Sequence, residues 1–131
     1  MKRTQGGWTL VELLVVMSLI TVLASMGLVQ YRNSILASKE AVLKADLFHM
    51  RDAIDQYYAD KGSYPASLQA LVTDGYLRRV PDDPITRSVD SWVTTPAELD
   101  ANSPNASPGI YDVKSGADGI ALDGTRYADW H

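Results

Sequence analysis

Gly7-Trp8-Thr9-Leu10-Val11-Glu12-Leu13-Leu14-Val15-Val16 opens a run that stays apolar as far as Val29, with Glu12 as its single charge. Lys2, Arg3 and the Gly6–Gly7 pair stand before it. As a helix rising about 1.5 Å per residue, residues 8–29 would measure about 33 Å. That is enough to cross a bilayer core of about 30 Å. Lys2 and Arg3 would hold the preceding end in the cytoplasm by the positive-inside bias, so the chain that follows would face outward.

Three readings of this segment compete. A secretory signal peptide has a basic start, a shorter apolar stretch and small residues at its cleavage site, and Val22-Leu23-Ala24 offers such a site. A plain signal anchor needs only the apolar length. The third reading must account for Glu12. A carboxylate costs roughly 2.5–3.5 kcal/mol at the bilayer centre and less near the interface, so it normally has a partner. If the chain is cut after Gly7, Trp8 gains a free amine with a reference pKa of about 7.7–8.0. Glu12 lies four residues on, one helical turn away. Among laterally packed copies, Glu12 of one can meet the Trp8 amine of a neighbour displaced along the axis. The low dielectric penalises an unpaired charge, so pairing would set the stagger between subunits.

These residues resemble the prepilin motif shared by type IV pilins and type II secretion pseudopilins: basic leader, glycine, aromatic residue, Thr-Leu, aliphatic residue, Glu, long apolar helix. The resemblance implies cleavage by a prepilin peptidase between Gly7 and Trp8, N-methylation of Trp8, and filament assembly through Trp8 and Glu12. Trp8 stands where Phe is usual, and Val29 where many members have proline, which leaves Gly27 as the intrinsic weak point of the helix.

Downstream, no proline occurs before Pro65. Leu36, Leu43, Leu47, Met50, Ile54 and Tyr57 recur at helical spacing, which predicts one apolar face continuing the same helix. Glu40, Lys44, Asp46, Arg51, Asp52 and Asp55 are assigned to the opposite, solvated side. Gly62 is placed to end the helix in the left-handed conformation. Pro65 followed by Leu68, Leu71 and Val72 predicts a short second helix, stopped by Gly75. Pro81-Asp82-Asp83-Pro84 reads as a rigid turn. Strand candidates are residues 89–94 and 110–114, rich in β-branched and aromatic side chains, with weaker ones at 120–122 or 127–130. Residues 95–108 hold three prolines and two asparagines and read as a surface loop. The fold class expected is α+β, a long N-terminal helix packed on a small antiparallel sheet. Its division is a leader at 1–7, a membrane or filament-core helix at 8–30, an amphipathic continuation at 31–61 and a globular part at 62–131.

This second half extends the resemblance. Asp60-Lys61-Gly62-Ser63-Tyr64-Pro65, the helix at Leu68 and Leu71, Gly75-Tyr76-Leu77, Pro81-Asp82-Asp83-Pro84, residues 115–119 and Trp130 are similar to the major pseudopilin family of type II secretion. With no cysteine in the chain, the disulfide that closes many type IV pilin loops is impossible, which favours the pseudopilin branch. The family likeness also implies calcium in the C-terminal loop, held by Asp118, Asp123 and backbone carbonyls. The alternative is that Asp118–Gly119 and Asp123–Gly124 serve turn geometry alone.

A net charge of −4 and the absence of a basic stripe speak against nucleic acid as a partner. His49 and His131 are far apart in sequence, and neither a phosphate loop nor zinc spacing occurs, so an enzyme is not expected. The function implied by the resemblance is a structural subunit of a type II secretion pseudopilus. Its partners would be copies of itself, the prepilin peptidase, minor pseudopilins, and an inner-membrane platform protein with its assembly ATPase. The chain would sit in the inner membrane with its C-terminal part in the periplasm. A type IV pilus-like surface fibre is the nearest alternative; a membrane-anchored periplasmic binding module using residues 95–108 is another.

Overall fold

A computed structural model describes residues 5–98 and 108–131. Lys2 and Arg3 of the leader, and residues 99–107 of the expected loop, lie outside the described residues. The chain divides into two compact units, one up to Leu36 and one from Ala37 onward. Helix α1, Gln5–Lys61, contributes to both. Among the described residues of the first unit it is the only element, and every residue from Trp8 to Ile35 is exposed.

The second unit is built on residues 37–61 of α1. Leu43, Leu47, Met50 and Ile54 are buried, and Tyr57 packs at the edge of the same cluster. Their partners come from the rest of the chain: Leu71, Trp92, Ile110, Val113, Ala117, Ala121, Tyr127 and Trp130. Gly62 ends α1 at φ 70°, and its N–H donates to the Tyr58 carbonyl at 2.8 Å. The chain then folds back along the helix end. Tyr76 donates its hydroxyl to Asp60 at 2.8 Å, Lys61 pairs with Asp74 at 3.0 Å, and Tyr58 stacks on Tyr64 at 4.4 Å.

Helix α2, Leu68–Thr73, is capped by Ser67, whose side chain accepts from the Ala70 N–H. At its other end Gly75 N–H donates to Val72 and Tyr76 N–H to Leu71. That pair of bonds is a Schellman closure, and it needs the left-handed φ of 83° that Gly75 supplies.

Strands β1, Val93–Pro96, and β2, Ile110–Lys114, pair antiparallel, with Val93 opposite Lys114 and Thr94 opposite Val113. This two-stranded sheet and the long helix make the α+β arrangement. The first strand starts later than residues 89–94 suggest, because the chain before it is wound around Asp83. That carboxylate is fully buried and accepts the N–H groups of Ile85 at 2.8 Å and Thr86 at 3.3 Å, together with the Ser115 hydroxyl. Asp83 N–H donates to the Ser88 carbonyl, and Trp92 Nε1 donates to Pro81 at 2.8 Å. Residues 88–92 are therefore occupied in the knot and join no ladder. The weaker strand candidates reduce to one bridge, Ile120 to Arg126, and a 3-10 turn at Tyr127–Asp129. At Gly116 a Cβ would stand 2.0 Å from the Ser91 carbonyl oxygen, so backbone passes backbone there without room for a side chain.

Candidate functional site

In the first unit the apolar residues face outward all round the helix. Trp8 is 78% exposed, and Leu10, Leu14, Leu23 and Met26 are each about two-thirds exposed. The segment is long and apolar enough to cross a membrane, and none of its most apolar window is buried within the protein. A soluble environment would penalise such a surface, whereas lipid or copies of the same helix would cover it. The hydroxyls along it are already satisfied. Ser18 donates to the Leu14 carbonyl, Thr21 to Met17 and Ser25 to Thr21, each at 2.8 Å. Glu12 is exposed and, among the described residues, accepts no hydrogen bond and forms no ion pair within the chain. Gly7 and Trp8 both lie within α1, near its start at Gln5.

In the second unit the C-terminal loop is tied to α1 by two charged residues that sequence periodicity placed on the solvated side. Glu40 is only 9% exposed. Its Oε1 accepts the Tyr127 hydroxyl at 2.7 Å and the Leu122 N–H at 2.9 Å. Burial, then the hydrogen bond to Glu40, pushes the Tyr127 phenol up to about 12. Arg51 is half-buried and donates three bonds: Nε to Asp112 at 2.8 Å, and Nη2 to the carbonyls of Val113 at 3.0 Å and Trp130 at 2.8 Å. Glu40 does fall at i−3 from Leu43, on the apolar stripe, and that spacing was the one signal that could have revealed it.

The two aspartates considered for calcium stand as follows. Asp118 is exposed. Asp123 Oδ1 accepts both the Thr125 N–H at 3.0 Å and the Thr125 hydroxyl at 2.6 Å. Those two bonds, hydroxyl first, together with the charge of Lys44, hold the Asp123 carboxyl below its usual range. No group of three or more His, Asp or Glu side chains that could hold a metal ion forms among the described residues. Calcium takes six to eight oxygen ligands, so Asp118 and Asp123 would need backbone carbonyls beside them to make such a set.

Residues 2–28 match the family described as the prokaryotic N-terminal methylation motif. The chain is 32% identical over 99 residues to the type II secretion system core protein G of Pseudomonas aeruginosa, covering 63% of this chain and 70% of that protein. It is 33% identical over 100 residues to the core protein G of Klebsiella michiganensis, with the same two shares of 63% and 70%. Fimbrial protein EcpC of Eikenella corrodens is 33% identical over 85 residues, 61% of this chain and 56% of that protein. No solved structure gives a significant match.

Proposed function

This chain belongs to the family of type II secretion system core protein G, and from that premise we propose that it is the repeating subunit of a secretion pseudopilus. It polymerises through its N-terminal helix to drive protein export across the outer membrane. The observation that carries this reading is the exposed apolar helix with one carboxylate near its start, Glu12, that has no partner among the described residues.

Before assembly, residues 8–29 anchor the chain in the inner membrane as a single span, with the part from Ala37 onward in the periplasm. A prepilin peptidase cuts between Gly7 and Trp8. A protease needs extended backbone, and Gly6 and Gly7 make local unwinding of the helix start cheap, at about 1 kcal/mol per glycine relative to alanine. Cleavage converts the Trp8 nitrogen into a cationic amine, which is then N-methylated. Glu12 of one copy pairs with that amine on the next, and the pairing fixes the axial stagger. Because the contact joins unlike surfaces, it repeats without closing and yields a helical fibre. Family likeness supports a platform protein, an assembly ATPase and minor pseudopilins as the remaining partners.

The test is Glu12→Ala in cells that assemble filaments from this subunit. The expected outcome is membrane-inserted protein with filaments absent or misordered. Normal filaments would contradict the role given to Glu12 in assembly. The likeness to a fimbrial protein keeps a surface pilus as the second reading. Gene deletion separates the two, since a pseudopilus subunit is required for secretion and dispensable for surface motility.

A further inference from the structure

The C-terminal loop presents its donors inward to an anion, which is the reverse of what a calcium site requires. A calcium ion gathers carbonyl and carboxylate oxygens around a positive charge. Here the Leu122 N–H and the Tyr127 hydroxyl converge on one oxygen of Glu40, a buried carboxylate 82 and 87 residues earlier in the chain. The tip of the loop closes on itself. Asp123 takes both Thr125 donors, Thr125 Oγ1 accepts Trp130 Nε1 at 2.8 Å, and Gly124 turns at φ 87°. One turn of α1 beyond Glu40, the Lys44 ammonium sits 4.7 Å from the centre of the Trp130 ring, a cation–π placement that also puts a positive charge near Asp123. No buried side-chain nitrogen or oxygen among the described residues lacks a hydrogen-bond partner, so no orphaned buried side chain waits for an ion.

We propose that the loop of residues 115–131 is ordered without a bound metal, with the Glu40 carboxylate as its anchor and the Lys44 ammonium as its resident cation. Two side chains one turn apart on α1 thereby do together what an ion would do alone: one collects the loop's backbone and phenol, the other offsets its negative charge. Both belong to the same compact unit as the loop.

The experiment uses the full chain in detergent, unfolded thermally after chelator treatment and again with excess calcium, beside hydrogen exchange of the Leu122 amide. The proposal expects the same midpoint in chelator and calcium, because an ion that binds only the native state would raise it by mass action. It also expects Glu40→Ala to speed exchange at Leu122 by about tenfold or more, the loss of a hydrogen bond to a charged acceptor, while α2 amides stay unchanged. Should Glu40→Ala fail to fold, Tyr127→Phe removes one of the two donors and leaves the helix intact, and loop exchange must still rise. A calcium-dependent midpoint in the unaltered chain would overturn the proposal. So would unchanged loop exchange in the folded variants.

Discussion

Replacing Arg51 by methionine keeps most of the packing volume and removes three hydrogen bonds at once. The guanidinium joins α1 to β2 through Asp112 and the Val113 carbonyl, and to the chain end through the Trp130 carbonyl. Bonds involving a charged group are each worth about 1.5–3 kcal/mol when buried. The side chains of Arg51 and Asp112 are 23% and 22% exposed, so water recovers part of that. Asp112 Oδ1 also keeps the Val113 N–H at 2.8 Å. The net loss is therefore set at about 2–4 kcal/mol, below the sum of three buried bonds. The unit from Ala37 onward unfolds with an entropy of about 2.1 cal/mol/K per residue, or roughly 200 cal/mol/K in all. The midpoint should then fall by about 10–20 °C. Tryptophan fluorescence in detergent reads it, because Trp92 and Trp130 lie in the core. Arg51→Lys should recover only part of the loss, since a point charge cannot hold the planar fork. A midpoint within about 3 °C of the unaltered protein, well below the shift expected from the entropy of unfolding, would refute the account of Arg51 as the clasp.

Gly116→Ala places a methyl group against the Ser91 carbonyl, where backbone must move; an overpacking cost of about 1–3 kcal/mol should appear as a lower thermal midpoint. Alkaline titration should destabilise the second unit through Tyr127. Its phenol is raised to about 12 in the folded chain against about 10 unfolded, so its stabilising contribution is complete below pH 10 and lost as pH climbs toward 12. Tyr64 and Tyr76 are raised as well and act in the same sense. Midpoints measured from pH 9 to 12 should fall less steeply in Tyr127→Phe than in the unaltered chain.

What was legible in the sequence was local. The absence of proline before Pro65 and the spacing of Leu43, Leu47, Met50 and Ile54 specify α1 and its buried face. Gly62 and Gly75 adopt the left-handed conformations that end α1 and close α2. Ile110–Lys114 forms the strand its composition suggests. What was illegible depends on partners far along the chain. Asp83 reads as a turn residue, and its burial becomes apparent only when Ser115 arrives from 32 residues away. That same knot draws residues 88–92 out of the strand and moves β1 to Val93–Pro96. Glu40 and Arg51 look like solvated charges until the loop supplies Tyr127, Leu122 and Trp130. At the N-terminal end the chemistry of Glu12 is readable because the apolar run isolates it, while its proposed partner belongs to another copy.

The central claim is that the mature chain begins at Trp8 and that the new amine answers Glu12. Intact mass of the protein extracted from membranes tests it most directly. The account predicts loss of Met1 through Gly7 and the gain of one methyl group. A mass corresponding to the uncut chain, or to a start after Ala24, would contradict it.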